Sequence, residues 1–411
     1  MNIFDETMEA RKVPLLEVST VKLALAADQA TQEHILRSRN DIRNILSCNG
    51  SDTRLMVVVG PCSIHDVDAA SHYASLLSNA AELFRRELLI VMRVYVEKPR
   101  STVGWKGLVH DPDHAVPSMS SGHGNSSGSS GSGSSKRHPE LNKGVLVSRR
   151  VMLDVARRGL PVATELLNPL LAHYFDDLAS LGVIGARTTE SQTHRELASS
   201  MPMPVGFKNG TDGGLRVATD AMTSASRPHT VVGFDHHGRI AYHTSAGNPD
   251  TFVVLRGGTR GPNFDAESVA CALAELRRAG RTPAVVVDCS HGNSMKDYRN
   301  QAAVAGCLAD QIASGVPITG VMLESNIHPG RQDVAGDDAA PDQKRLRYGV
   351  SITDGCIGWA ETSTILGRLA AAVKIRQQKL DIAAAAAVLD KTLQCDGEKG
   401  TLARQATELV V

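Results

Sequence analysis

Eight short apolar runs rich in β-branched residues recur along this 411-residue chain, and they restrict what it can fold into. The runs span residues 55–59, 89–94, 161–164, 183–186, 204–207, 251–255, 284–287 and 318–323. Stretches with helical periodicity separate most of them, an alternation typical of parallel α/β proteins. Eight strand–helix units predict a (β/α)8 TIM barrel, whose catalytic residues gather at the C-terminal ends of the strands.

The remaining segments predict additions to this barrel. We expect an N-terminal extension over residues 1–50, with a helix at 31–47, that caps the barrel or forms a regulatory or subunit contact. The catalytic barrel is expected over 51–378, a β-hairpin at 229–247 between strands 5 and 6, and a helical tail over 379–411. Barrel helices are predicted at residues 67–87, 145–158, 170–181, 191–199, 215–225, 266–279, 302–314 and 359–377.

A serine- and glycine-rich insert follows the second strand, within residues 114–139. Ten serines and five glycines fill positions 118–135, without hydrophobic periodicity. Such a segment buries too little apolar surface to offset its ordering entropy, which predicts a flexible loop. We favour a neutral low-complexity insertion over a lid.

The overall composition excludes two classes of partner. Forty-four Lys+Arg balance forty-four Asp+Glu, so neither nucleic acid nor an anionic membrane is expected as the main partner. No run reaches the roughly 18–20 apolar residues of a membrane span. The seven cysteines form no C-x-x-C pair, and no apolar secretory segment opens the chain, which predicts a cytoplasmic location.

Four side chains capable of binding a metal lie just after predicted strands. Cys62 follows strand 1, His291 follows strand 7, Glu324 closes strand 8, and Asp354 lies in the segment beyond. Singly, a buried cysteine is usually a small hydrophobe and a loop histidine is usually solvated. Their shared position predicts a site for one divalent metal ion with mixed soft and hard ligands.

Cationic side chains leave strands 2, 4, 5 and 6 on the same face of the predicted barrel. They are Arg93, Lys98, Arg100, Arg187, Lys208 and Arg256. Six converging cations repel one another unless anions complete the site, and guanidinium groups match phosphate and carboxylate oxygens in bidentate fashion. The predicted ligands therefore carry several negative charges, as phosphorylated metabolites do.

The wording of seven motifs resembles one family. The motifs read GPCSIHD at 60–66, EKPR at 97–100 followed by VGWKG at 103–107, GARTTES at 185–191, HRELAS at 194–199, GFKNGTDG at 206–213, LRGG at 255–258 and SITD at 351–354. Together they resemble class I (type Iα, microbial and fungal-like) 3-deoxy-D-arabino-heptulosonate 7-phosphate (DAHP) synthases. The similarity covers about residues 14–378, apart from the serine-rich insert.

The resemblance implies a transferase reaction and a metal. Phosphoenolpyruvate and D-erythrose 4-phosphate would condense with water to give DAHP and phosphate, the first step of the shikimate pathway to aromatic amino acids. The family's metal ligands correspond to Cys62, His291, Glu324 and Asp354, and the ion would be Mn, Fe, Co or Zn. A homo-oligomer, dimer or tetramer, is also implied.

The same comparison assigns the substrate contacts. Positions that match the family's phosphoenolpyruvate contacts are Arg93, Lys98, Arg187, Lys208 and Arg256, with Glu165 and Ala186 lining the same site. The erythrose 4-phosphate segment corresponds to Lys98, Pro99, Arg100 and Ser101. The expected catalytic residues are Lys98, as a proton donor or relay, together with Cys62 and His291 at the metal.

The main departures from the family pattern concern regulation. Relatives of this architecture are commonly inhibited by an aromatic amino acid that binds among the N-terminal extension, the early third helix and the added hairpin. The sequences at residues 170–173, 201–203 and 234–237 differ from those that family members usually carry at the effector site. We therefore expect altered or absent feedback by an aromatic effector.

Two alternatives remain open at this stage. A 3-deoxy-octulosonate 8-phosphate synthase uses the same nucleophile on a different sugar, although the context of Lys98, Pro99 and Arg100 disfavours it. The second alternative is a catalytically silent paralogue that acts as a regulatory partner. It is disfavoured because all four metal-ligand positions and all the cationic positions are intact.

Overall fold

The computed structural model describes residues 13–100, 104–113, 140–235, 239–334 and 346–408. The serine-rich insert, Ser101 and residues 236–238 of the predicted hairpin lie outside these ranges.

Eight parallel strands close into a barrel, which confirms the predicted (β/α)8 fold. The strands are β1 Leu55–Gly60, β2 Leu88–Arg93, β3 Val162–Glu165, β4 Leu181–Ile184, β5 Val205–Lys208, β8 Thr251–Leu255, β9 Val285–Asp288 and β10 Gly320–Glu324, numbered with a hairpin of β6 and β7 that follows β5. Around the barrel the order is β1-β10-β9-β8-β5-β4-β3-β2. Each strand lies within two residues of a predicted run, because strands buried on both faces read as continuous apolar stretches.

Helices lie before, between and after the strands of the barrel. Their bounds are α1 Val18–Ala24, α2 Gln29–Leu46, α3 Val67–Leu83, α4 Leu141–Arg157, α5 Pro169–Ala172, α6 Gln192–Ser200, α7 Arg216–Ala225, α8 Ala266–Arg278, α9 Gln301–Ser314 and α10 Trp359–Glu408. Helices α3 to α9 lie between successive strands of the barrel, whereas α1 and α2 precede β1 and α10 follows β10. No helix among the described residues is long and apolar enough to cross a membrane.

The helix predicted at 170–181 is wrong over most of its length. It ends at Ala172, and turns replace it before β4 begins at Leu181. The reason lies in two arginines from other helices. Arg149 donates to the carbonyl of Tyr174 at 2.8 Å, and Arg39 donates to the carbonyls of Asp176 and Ala179 at 2.6 and 2.7 Å. In a continuing helix the Tyr174 and Asp176 carbonyls would accept from the N–H groups of Leu178 and Ser180, which donate instead to Phe175 at 3.0 Å and to Val162 at 2.8 Å.

The helix α2 contributes to the inside of the barrel. Ile42, Ile45 and Leu46 form one apolar cluster with side chains of the strands, among them Met56 and Val58. The start of α2 is set by Asp28, whose side chain accepts from the backbone N–H of Thr31 at 2.9 Å.

The hairpin predicted between barrel strands 5 and 6 is present. Strands β6 Thr230–Phe234 and β7 Ile240–Thr244 pair antiparallel, and they lie in the chain between β5 and β8. Phe234 meets the ring of His173 edge-on at 6.2 Å, which brings the hairpin against the segment after α5.

Candidate active site at the C-terminal mouth of the barrel

A cavity of about 540 Å³ opens at the carboxyl ends of the strands. The predicted site residues that line it are Arg93, Lys98, Pro99, Arg100, Glu165, Ala186, Arg187, Lys208, Arg256, His291, Glu324 and Asp354. Side chains drawn from across the sequence thus meet in one space. Cys62 lies at its edge and contacts Lys98 and Asp354, while Ser101 is outside the described residues.

Three of the four predicted metal ligands form a compact group. One ligand atom each from Cys62, Glu324 and Asp354 lies within 4.8 Å of the others. Cys62 and Glu324 are buried, whereas Asp354 is exposed. Glu324 and Asp354 line the cavity.

The fourth predicted ligand, His291, stands beside this group rather than within it. Its Nε2 lies 3.8 Å from Glu324 Oε1. The His291 backbone has a φ of +57°, a left-handed conformation that a residue with a Cβ adopts only when its surroundings hold it. The ring therefore approaches the group in an orientation that the loop imposes.

Lys98 places its ammonium among these ligands. Its Nζ lies 2.8 Å from Cys62 Sγ and 2.8 Å from Asp354 Oδ2. Burial disfavours the charged amine, but Cys62, Glu324 and Asp354 outweigh burial and raise the pKa of Lys98. The same contact lowers the pKa of Asp354, although desolvation acts against it.

The Cys62 thiol is fully buried between carboxylates. Burial, followed by the charge of Glu324, raises the pKa of Cys62 to about 11, and Lys98 acts in the opposite direction. A metal ion that binds this sulfur therefore has to displace the thiol proton.

Arg93 lies deep in the mouth, almost completely shielded from solvent. Its Nη2 is 3.1 Å from Glu324 Oε1, and its guanidinium lies over the ring of Tyr95, 3.9 Å from the centroid. Burial disfavours its charge, but Tyr95 and Glu324 raise the pKa of Arg93. The guanidinium is thus a permanent cation next to Glu324, one of the three clustered metal-ligand candidates, and it also lines the cavity.

The other cations, Arg187, Lys208 and Arg256, line the same cavity and, together with Arg93, form its cationic wall. Lys208 Nζ lies 2.8 Å from Asp288 Oδ2, and the backbone N–H of Arg256 donates to Asn209 Oδ1 at 2.7 Å. Burial and the nearby charge of Arg187 lower the pKa of Arg256, with Asp288 opposing them. Of these three cations, only Lys208 forms an ion pair among the described residues, so the guanidinium groups of Arg187 and Arg256 are suited to an anionic ligand.

Sequence comparison identifies the family. The model of the DAHP synthetase I family matches residues 31–367. The chain belongs to this family. It is 44% identical over 365 residues to a putative phospho-2-dehydro-3-deoxyheptonate aldolase of Schizosaccharomyces pombe, with 89% of this chain and 92% of that protein covered.

Other relatives of the family agree. The phenylalanine-inhibited phospho-2-dehydro-3-deoxyheptonate aldolase of Saccharomyces cerevisiae is 45% identical over 354 residues, covering 85% of this chain and 88% of that protein. The Tyr-sensitive enzyme of Escherichia coli is 44% identical over 353 residues, covering 86% and 91%. The solved phospho-2-dehydro-3-deoxyheptonate aldolase of Francisella tularensis superposes with a TM-score of 0.79 at 40% identity, covering 90% of this chain and 99% of that chain.

In this DAHP synthetase I family member, sequence reasoning missed two buried residues at the site. Asp288, the last residue of β9, contacts Lys208 and His291, and Tyr95 supports Arg93. A signal existed for Asp288, since a carboxylate interrupts the apolar run just where a barrel strand ends. Tyr95 continues an apolar stretch, and nothing in the pattern distinguishes it from core.

Glu97 is a further buried residue that sequence reasoning did not single out. Its Oε1 lies 3.1 Å from His110 Nε2, and its Oε2 accepts from the backbone N–H of Asn168 at 3.2 Å. It therefore ties the segment that carries Lys98 to a neighbouring loop and to the chain that returns at His110.

Proposed function

We propose that this chain condenses phosphoenolpyruvate with D-erythrose 4-phosphate and water to give DAHP and inorganic phosphate. This is the first step of the shikimate pathway for aromatic amino acid biosynthesis. The main support for the proposal is that one cavity brings together the cationic wall and the cluster of potential metal ligands, Cys62, Glu324 and Asp354. Its relatives bear the name of an enzyme with this activity.

Phosphoenolpyruvate binds to the cationic wall in this proposal. Arg93, Lys98, Arg187, Lys208 and Arg256 hold its phosphate and carboxylate, while Glu165 and Ala186 line the same cavity. The depth of Arg93 supports this assignment, because bidentate guanidinium–oxyanion contacts gain strength where water is excluded.

One divalent metal ion is held by Cys62, His291, Glu324 and Asp354. The close approach of three of these ligand atoms, and the position of His291 beside Glu324, support the fit. A thiolate, an imidazole and two carboxylates accept Mn, Fe, Co or Zn. When bound, the ion supplies Lewis acidity for the aldehyde of erythrose 4-phosphate.

Erythrose 4-phosphate lies along Lys98, Pro99, Arg100 and Ser101. Arg100 supplies a guanidinium for the sugar phosphate, and Lys98 directs its ammonium to the aldehyde end. The Lys98 ammonium lies 2.8 Å from both Cys62 Sγ and Asp354 Oδ2, beside the residues that would hold the metal. In the proposed reaction it donates or relays a proton to the aldehyde oxygen as negative charge develops there.

The cationic wall also stabilises the transition state. Positive charge from the Arg93 and Lys208 side chains is fixed before the reaction, so it stabilises developing charge at the phosphate without reorganisation. Both side chains are buried, so neither has to lose a water shell at that moment. Holding both substrates in one cavity also replaces an encounter in solution with a fixed approach.

An assay of phosphoenolpyruvate loss and phosphate release tests the function. We expect turnover with erythrose 4-phosphate, abolition by a chelator, and recovery on adding Mn²⁺. Arabinose 5-phosphate is the discriminating alternative substrate, and preferential turnover of it would assign the octulosonate reaction instead. No turnover with either sugar phosphate, in protein that retains its fold, would support the silent paralogue.

We extend the proposal to an aromatic amino acid effector, with a response altered or absent relative to the inhibited relatives. Support comes from the names of two relatives, a tyrosine-inhibited enzyme of Schizosaccharomyces pombe and a phenylalanine-inhibited enzyme of Saccharomyces cerevisiae. The assay repeated with Phe, Tyr and Trp measures the response. Strong inhibition by any one of them at low concentration contradicts an absent response.

We also propose a homo-oligomer, dimer or tetramer, in the cytoplasm. The hairpin leaves Val232, Ile240 and Tyr242 exposed, an apolar surface that supports association. Free thiols at the described cysteines fit a reducing compartment. Light scattering on the purified chain gives the assembly, and fractionation of its cells gives the location.

The division of the chain remains a proposal as well. It separates an extension at 1–50, a catalytic barrel at 51–378 with the 114–139 insert, and a helical tail at 379–411. Deleting 114–139 tests the neutral role of the insert, and a large change in the Michaelis constant would contradict it.

A further inference from the structure

A buried carboxylate, Asp288, lies between the two halves of the active site. Its Oδ2 is 2.8 Å from Lys208 Nζ and 3.0 Å from His291 Nδ1. Its Oδ1 accepts from the backbone N–H of Ser290 at 2.9 Å and from the Ser290 hydroxyl at 2.6 Å. We propose that Asp288 is a positioning residue that sets the tautomer and orientation of His291 for metal binding. The inference deepens the proposed function and rests on it.

The contacts of His291 Nδ1 decide where its proton lies. One neighbour of this nitrogen is the Asp288 carboxylate, which only accepts hydrogen bonds. The other is Ser290 Oγ at 2.6 Å, whose own proton is donated to Asp288. Both neighbours therefore accept, so Nδ1 carries the proton and Nε2 keeps its lone pair. That lone pair is the one a metal ion requires, and Nε2 is the nitrogen nearest Glu324.

The backbone around His291 reinforces this orientation. The left-handed conformation at His291 is closed by a hydrogen bond from the Lys296 N–H to the His291 carbonyl at 2.7 Å. The Asn293 side chain donates to the Asp288 carbonyl at 2.8 Å, and Gly292 donates to the Arg256 carbonyl at 2.9 Å. These hydrogen bonds offset the cost of the left-handed conformation at His291 and hold the loop, and with it the imidazole ring, in place.

Lys208 makes a buried charge at Asp288 tolerable. Asp288 is completely shielded from solvent, and a buried carboxylate requires a charged or hydrogen-bonding partner. The Lys208 ammonium at 2.8 Å supplies the counter-charge. The charge that orients the metal-ligand histidine is therefore maintained by a cation of the phosphoenolpyruvate wall.

The substitution Asp288→Asn tests the role in the full chain, free of metal and substrates. An amide places a donor next to Lys208 or His291, so the ring should favour the tautomer with the proton on Nε2. Nitrogen-15 spectra of histidine-labelled protein report the tautomer, and the missing signal in His291→Gln assigns the resonance. We expect D288N to shift His291 to the Nε2–H form and to weaken Mn²⁺ binding by about 10- to 100-fold.

Two controls separate this role from a general effect of the substitution. Asp310→Asn makes the same chemical change on the outer face and should leave the tautomer and Mn²⁺ affinity unchanged. Ser290→Ala keeps the 3.0 Å contact between Asp288 and His291, so we expect a smaller loss than in D288N. An equal loss in S290A would transfer the role to the hydroxyl and overturn the proposal.

Further outcomes distinguish the inference from the proposed function. If His291→Gln leaves Mn²⁺ affinity unchanged, His291 is not a ligand and the proposed metal site fails. If His291→Gln weakens Mn²⁺ binding but D288N changes neither tautomer nor affinity, only the inference fails. Should the uncompensated Lys208 prevent D288N from folding, the neutral pair D288N/K208Q removes both charges, and the same change of tautomer is expected from it.

Discussion

The guanidinium of Arg93 lies over the ring of Tyr95, with 3.9 Å between Cζ and the ring centroid. The Tyr95 hydroxyl, in contrast, is buried and has no hydrogen-bond partner among the described residues. The ring and the hydroxyl therefore make separable contributions. A desolvated cation–π contact is worth about 0.5–2 kcal/mol, whereas an unsatisfied buried hydroxyl costs stability.

Tyr95→Leu should raise the Michaelis constant for phosphoenolpyruvate, because Arg93 loses the surface that supports it. The expected factor is roughly 2- to 30-fold, from the energy of the cation–π contact. Tyr95→Phe is the matched control, and it should keep the kinetics and unfold at an equal or higher temperature. Steady-state kinetics with thermal unfolding measure both. A kinetic loss in Y95F as large as in Y95L would show that the hydroxyl acts in the site.

Cys62→Ser should weaken metal binding. A hydroxyl replaces the sulfur that lies 2.8 Å from Lys98 Nζ and 3.5 Å from Asp354 Oδ2. Metal affinity should fall about tenfold or more, because even substitutions of residues that only hydrogen-bond to metal ligands lower it about 10- to 100-fold. Calorimetric titration with Mn²⁺ measures it, with Cys271→Ser as the control because Cys271 is an exposed free thiol. Equal affinity in both variants would remove Cys62 from the ligand set.

Glu97→Gln should loosen the Lys98 segment and affect the sugar phosphate selectively. Glutamine keeps one acceptor oxygen and gains an NH2 donor, so it cannot replace both carboxylate oxygens that contact His110 and the N–H of Asn168. A buried polar group left unsatisfied costs about 1–3 kcal/mol. We expect kcat/KM for erythrose 4-phosphate to fall about 5- to 150-fold by that energy, with a smaller loss for phosphoenolpyruvate, since Lys98 is only one of its expected contacts. A parallel fall for both substrates would indicate a general collapse of the mouth instead.

The sequence predicted the barrel well because strands buried on both faces leave an unambiguous apolar pattern. The same pattern placed Arg93, Lys208 and Glu324 at strand ends and hence in one cavity. Segment 170–181 was mispredicted because Arg39 and Arg149, distant in the sequence, occupy its carbonyls. Tyr95 and Glu97 were missed for a similar reason, since their partners are defined only by the folded loops.

Arg149 should be among the residues on which stability depends most. It is fully buried on α4 and donates to Asp177 at 2.7 Å through both terminal nitrogens, to the Tyr174 carbonyl at 2.8 Å and to the Leu25 carbonyl at 3.2 Å. Arg149→Met leaves these acceptors without their donor, and we expect a loss of roughly 3 kcal/mol in the free energy of unfolding. The neighbouring exposed Arg150, changed to Met, should shift it by less than about 0.5 kcal/mol. Chemical denaturation distinguishes the two, and similar losses would contradict the assigned contacts.

The contact between Lys22 of α1 and Asp176 should make stability depend on pH. Burial opposes ionisation, but hydrogen bonds and positive charge from His173 and Lys22 hold the pKa of Asp176 below its usual range. Lys22 Nζ lies 2.5 Å from Asp176 Oδ1. Because the folded pKa is depressed, this stabilisation is present above the unfolded pKa of about 3.9 and is lost as the pH falls through the folded value.

Lys22→Met should therefore be less stable than the unsubstituted chain above about pH 4, with the difference closing as acid protonates Asp176. Unfolding free energies at a series of pH values measure the difference. Lys143→Met provides the control, because Lys143 and Asp113 form an exposed pair that contributes little at any pH. A Lys22→Met deficit that stays constant into acid would mean that the lysine stabilises α1 by packing of its stem rather than through the charge of Asp176.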